Sequence, residues 1–168
     1  DPTAYHVVAL SGGRNITQLA NDALEFSPEV VVTAFDDLLP ELQAAMAGSG
    51  VAVEAGAQAI ACAAERPADW IMSCIVGVAG LAPSLHAVQQ GTTLALANKE
   101  SLVAAGPILL DEARCHGATI LPVDSEHSAV FQALIGEDIA NVERIIITAS
   151  GGAFRDWPRA DLAKATPA

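Results

Sequence analysis

Short apolar runs rich in β-branched residues alternate with longer amphipathic stretches along almost the whole chain, and this alternation limits the fold more than any other feature. Runs at 5–10, 30–33, 51–55, 70–75, 93–96, 119–123 and 144–148 have the length and side chains of buried strands. Between them, 16–26, 37–47, 57–65, 84–90, 101–116 and 128–134 carry apolar residues at helical spacing. Strand, helix and strand in succession are joined by right-handed crossovers, which lay the strands parallel and cover both faces of the sheet. The pattern predicts an α/β domain with a doubly wound, mostly parallel sheet. At 168 residues the chain suits a single core. Its 34 alanines and 4% aromatic content predict helices packed closely through small side chains.

Charge and cysteine usage narrow the classes of function. Eight Lys plus Arg against 20 Asp plus Glu leave a formal charge of −12, the wrong sign for a polyphosphate surface, so nucleic acid is excluded as a partner. Arg14 and Lys99 are local cations that can still hold a small anion. Cys62, Cys74 and Cys115 are an odd count without CxxC spacing and read as reduced packing residues of a cytoplasmic chain. No apolar run approaches the roughly 20 residues that span a bilayer, and the first residues lack the basic and apolar segments of a signal peptide. Composition changes after residue 150, where Gly-Gly, two prolines and mixed charges enter. Residues 1–150 therefore read as one domain and 151–168 as an exit segment. A chain that starts on a strand and stops in such a loop reads as a piece of a longer enzyme.

In a doubly wound sheet, ligands sit outside the carboxyl ends of the strands, which directs attention to the residues just after each run. After 5–10 comes Ser11-Gly12-Gly13-Arg14-Asn15, where glycines admit a ligand to the backbone and Arg14 offers a fork of donors. If this run is the second strand of a dinucleotide fold, an Arg in place of an acid favours NADP over NAD. No GxGxxG is present, which either places the Gly-rich turn upstream of Asp1 or argues against the cofactor; the alternative for this segment is a plain turn capped by Asn15. After 93–96 comes Asn98-Lys99-Glu100-Ser101, able to position a cofactor amide and an anionic substrate, or simply to cap a helix. After 119–123 come Asp124, Ser125, Glu126 and His127. In an extended segment, carboxylates two apart point to one side, which suits a hard divalent cation; a solvated acidic turn is the alternative. Thr148 to Gly152 can form an anion nest or a plain loop. The small residues at 75–80 offer a ring a place against backbone, or reflect close helix packing.

The segments LALANKESLV (94–103), LPVDSEHSAVFQ (121–132) and ITASGGAFR (147–155), in this order and spacing, resemble the 1-deoxy-D-xylulose 5-phosphate reductoisomerase family. VALSGGRN (8–15) and IVGVAGL (75–81) extend the similarity over essentially the whole chain. The resemblance implies a Rossmann-like fold lacking its first strand and Gly-rich turn, and conversion of 1-deoxy-D-xylulose 5-phosphate to 2-C-methyl-D-erythritol 4-phosphate with NADPH and Mg²⁺ or Mn²⁺, with Co²⁺ as a further option. By it, Asp124 and Glu126 match metal ligands; Lys99, Ser125, Glu126 and Ser150 match substrate contacts; Gly13, Arg14, Asn15, Asn98 and Glu100 match the NADPH site; the role of His127 stays open. It further implies a homodimer when complete, a small phosphosugar as substrate, and no turnover by this segment alone, since a third acidic ligand and the lid lie in the catalytic domain beyond Ala168. The competing classes are another NADP-dependent Rossmann oxidoreductase, such as a homoserine-dehydrogenase-like enzyme, and a non-catalytic nucleotide-binding domain.

Overall fold

Three valines and a threonine in a row have little choice but to be buried strand, and Val30–Thr33 (β2) is buried at all four positions. It pairs in parallel with Ala9–Gly12 (β1) on one side and Ala52–Ala55 (β3) on the other, with Gly12 opposite Thr33 and Thr33 opposite Ala55. The structure, a computed structural model, describes residues 4–147 and 152–166. A second parallel sheet has Thr93–Leu96 (β5) at its centre between Trp70–Ser73 (β4) and Thr119–Pro122 (β6). The helices are Ile16–Phe26 (α1), Leu39–Ala45 (α2), Ala57–Ala63 (α3), Leu81–Gln89 (α4), Lys99–His116 (α5) and Ser125–Leu134 (α6). Strand and helix alternate from β1 to α6, as the sequence pattern predicts over that stretch.

The period of two along β2 sorts the helices onto two faces. Val31 packs with Ile16, Leu19, Ala20 and Ala23 of α1 and with Leu42 of α2. Val30 and Val32 point the other way, to Ile60 of α3. In the second sheet Leu94 and Leu96 pack with Ala87 and Val88 of α4 and with Leu109 and Ala113 of α5. Fully burying one such Val or Leu stabilises by about 1.5–3 kcal/mol. β1 and β4 are each an edge strand of their sheet.

Local chemistry explains where elements start and stop. Asn15 caps α1, its Oδ1 accepting from the Gln18 amide at 3.1 Å. Gly12 lets β1 run against α1, since a Cβ there would lie 2.9 Å from Leu19 Cδ1. α5 bends at Ala105, two residues before Pro107, whose ring removes a helical donor.

Four expectations need correction. The first strand is 9–12 rather than 5–10, because Tyr5 is 83% exposed and pairing begins only where Val30 lies opposite Ala9. Residues 144–147 form no strand despite three isoleucines; Ile146 is 76% exposed, and no described residue beyond Ser125 is a strand to pair with. Thr148 lies outside the described residues. The three cysteines are free but exposed rather than packed. Asp124 and Glu126 do not share one extended strand, since β6 ends at Pro122 and α6 opens at Ser125.

The chain divides into two compact units between Asp124 and Ser125, ahead of the composition change at 151. The first holds both sheets, and the second holds α6 and the 3-10 turns at Ile139–Asn141 and Arg159–Lys164. Among the described residues no helix is long and apolar enough to cross a membrane.

Candidate functional site

Parallel pairing brings the carboxyl ends of neighbouring strands to one edge of each sheet, and the polar motifs of the sequence leave the sheets there. At the first sheet, β1 exits through Gly13, Arg14 and Asn15, and β2 exits through Ala34, Phe35, Asp36 and Asp37. Two bonds lock these exits together: the Ala34 amide donates to the Gly12 carbonyl at 2.9 Å, and Thr33 Oγ1 donates to the Gly13 carbonyl at 3.1 Å. The Arg14 guanidinium lies over the Phe35 ring, 3.8 Å from its centroid, while Nη1 donates to Asp37 Oδ2 at 3.4 Å. Arg14 is held from two sides, yet its side chain stays 62% exposed.

Between the exits of β1 and β4 lies a cavity of about 550 Å³, lined among others by Ser11, Gly13, Phe35, Ile60, Ile75 and Val76. Its lining is mostly apolar, with Arg14 next to Gly13 at the exit of β1.

At the second sheet the determinant is Asn98, which is 2% exposed. Its Nδ2 donates to the carbonyls of Ile75 and, at 2.8 Å, Gly77; its Oδ1 accepts from the Ser101 amide at 2.8 Å and from the Ser101 hydroxyl. Every polar position of the side chain is therefore used inside the protein, tying the loop after β4 to the first turn of α5. The capping alternative holds for Asn98, and any cofactor contact here is left to its backbone. Gly80 is part of the same joint: a Cβ would lie 2.8 Å from both Asn98 Nδ2 and the Ile75 carbonyl oxygen. Close packing thus accounts for Gly80, whereas Gly77 has open space about it and is fixed by its φ of +77°.

Lys99, the first residue of α5, is exposed, and no described carboxylate pairs with it. It sits at the helix's positive end, where an anion is favoured. Glu100 follows half-buried in the same turn. β5 and β6 set Leu96 opposite Pro122, and the Val123 amide donates to the Leu96 carbonyl at 3.0 Å, so the chain reaches Asp124 beside the exit that carries Lys99. Ser125 and Glu126 occupy the first turn of α6, in the second unit. Ser150 lies outside the described residues. Phe35 and Asp37 went unmarked in the sequence, where the only available signal was Phe-Asp-Asp directly after a buried strand.

Fold and strand-end motifs together define a doubly wound parallel α/β domain of the Rossmann-like class. Comparison with known proteins is specific. The sequence profile of 1-deoxy-D-xylulose 5-phosphate reductoisomerase matches residues 1–106, and that of the enzyme's C-terminal domain matches 120–168. A 1-deoxy-D-xylulose 5-phosphate reductoisomerase of Jannaschia sp. is 71% identical over 167 residues, covering 99% of this chain and 42% of that protein. The solved enzyme from Zymomonas mobilis, in complex with NADPH, superposes with a TM-score of 0.87 at 47% identity, over 99% of this chain and 44% of its own. A reductoisomerase structure with NADPH, fosmidomycin and magnesium gives 0.74 at 39% identity, over 78% of this chain and 33% of that one. The chain belongs to the 1-deoxy-D-xylulose 5-phosphate reductoisomerase family and spans about two fifths of the length of the relatives it matches. Membership sets aside a homoserine-dehydrogenase-like enzyme.

Proposed function

We propose that the complete enzyme carrying this segment rearranges 1-deoxy-D-xylulose 5-phosphate and reduces the resulting aldehyde to 2-C-methyl-D-erythritol 4-phosphate, with NADPH as reductant and a divalent cation. The observation that carries this reading is the pairing of β5 with β6, which sets Lys99 and Asp124 at neighbouring strand exits. NADPH supplies the hydride, and the cation, when bound, polarises substrate oxygens and offsets the charge that develops as the carbon skeleton is cleaved and rejoined.

The residues of this chain prepare that chemistry. Asp124 and Glu126 would hold the cation; both are carboxylates, the oxygen donors that Mg²⁺ takes, and Mn²⁺ and Co²⁺ are further choices. Among the described residues no group of three or more His, Cys, Asp or Glu could hold a metal, so further ligands are required from elsewhere. Lys99 holds an anionic substrate oxygen, with Ser125, Glu126 and Ser150 as further substrate contacts. Arg14 reads the 2′-phosphate of NADPH, Gly13 admits the cofactor to the backbone, and Asn15, Asn98 and Glu100 shape the surrounding wall. Residues 1–150 form the cofactor-binding part, the exit segment 151–168 leads to the catalytic part, and the isolated segment is inactive. We also infer a cytoplasmic homodimer, which sedimentation of the full-length protein tests.

The direct experiment is a full-length chimera in which this chain replaces the matching region of the Jannaschia sp. relative. NADPH oxidation dependent on 1-deoxy-D-xylulose 5-phosphate, with 2-C-methyl-D-erythritol 4-phosphate as product, supports the assignment. A folded chimera that binds NADPH and gives no such product refutes it.

A further inference from the structure

The cation that leaves β1 is stacked on one residue of the β2 exit and paired with another, and the hydrogen bonds between the two strand ends fix that arrangement. We propose that Phe35 and Asp37 are specificity-determining residues for the cofactor, Phe35 as the platform that aims Arg14 and Asp37 as a built-in counter-anion that a 2′-phosphate must displace. The inference rests on Arg14 reading that phosphate.

Stacking on a ring engages the flat face of a guanidinium and leaves its edge donors free to turn to an anion. Phe35 is half-buried and lines the cavity together with Gly13, so the platform belongs to the cavity wall. The Arg14–Asp37 pair has a different character: at 3.4 Å and with side chains 62% and 67% exposed, it is a long contact in water, of the kind that holds weakly. A phosphate carries more charge than one carboxylate and more acceptor oxygens, and it can take over the donors while the stack persists. A dinucleotide without the 2′-phosphate offers nothing in exchange for Asp37. Asp37 therefore lowers NADPH affinity while keeping Arg14 in place, and Phe35 raises NADPH affinity without touching NADH affinity.

The test titrates NADPH and NADH by calorimetry into the full-length chimera and its variants. Phe35→Leu should weaken NADPH by about three- to tenfold, with Phe35→Tyr restoring it. Asp37→Asn should tighten NADPH by about two- to fivefold. NADH should be unchanged in each, and Glu41→Gln, which removes a charge on the exposed face of α2, should change neither cofactor. Because Asp37 acts through Arg14, its effect should vanish in an Arg14→Ala background, which a merely structural role would not produce. If Arg14→Ala shifts the NADPH-to-NADH ratio while Phe35→Leu and Asp37→Asn leave it alone, the proposal falls and the phosphate reading stands. If Arg14→Ala weakens both cofactors equally, that reading falls and takes the proposal with it.

Discussion

Removing the Asn98 side chain should loosen the second sheet's ligand-facing end more than any other single change there. Asn98→Ala deletes two donors to the Ile75 and Gly77 carbonyls and the acceptor that caps the Ser101 amide, all beside a side chain that is 2% exposed. Loss of a helix cap costs about 0.5–2 kcal/mol, and each buried group left without a partner about 1–3 kcal/mol. Water entering the space left by the amide recovers part of this, so a net loss of about 3 kcal/mol is expected. Amide hydrogen exchange of the full-length chimera reads it locally: about 3 kcal/mol corresponds to roughly 150-fold faster exchange at the start of α5 and in the loop after β4. Asn98→Asp is the sharper variant, because it keeps the capping oxygen and turns a carboxylate toward two carbonyls. Protection in both variants within about threefold of wild type would show that the joint is not held by this amide.

Arg14→Ala should weaken NADPH by about 1.5–3 kcal/mol and NADH much less, measured by equilibrium titration. Gly12→Ala forces a Cβ to within 2.9 Å of Leu19 and should lower stability by about 1–3 kcal/mol in urea unfolding. Leu42→Ala, at a fully buried position packed on α1 and β2, should cost about 2–5 kcal/mol in the same assay. Glu126→Gln should sharply reduce turnover across a Mn²⁺ titration while NADPH affinity survives, since the proposed cofactor contacts leave other strand ends; a wild-type metal response would return Glu126 to an ordinary first-turn acid.

The parts of the fold legible in the sequence are those set by local pattern. The valines of β2 and the apolar period of α1 are recognisable from residue types alone, and both elements fall where expected. The parts that depend on a neighbour are not. Ile145 to Ile147 have strand side chains and pair with no strand among the described residues, while Ser11 and Gly12 have poor strand propensity and are strand because β2 lies alongside. The site divides the same way. That polar residues follow β1, β5 and β6 is visible in the sequence. That Asn98 turns inward depends on the loop from another strand reaching it, and that Phe35 and Asp37 meet Arg14 depends on the register of β1 against β2.

In the proposed function, Lys99 and Asp124 act on substrate and metal rather than on the cofactor. Steady-state turnover of 1-deoxy-D-xylulose 5-phosphate by the chimera, measured beside NADPH affinity for Lys99→Ala and Asp124→Asn, tests it most directly. Each variant should lose turnover by on the order of a hundredfold or more, as expected when an electrostatic contact to the reacting centre is removed, with the NADPH dissociation constant within about twofold of wild type. Normal turnover in both variants, or a loss that follows NADPH affinity, would contradict the account.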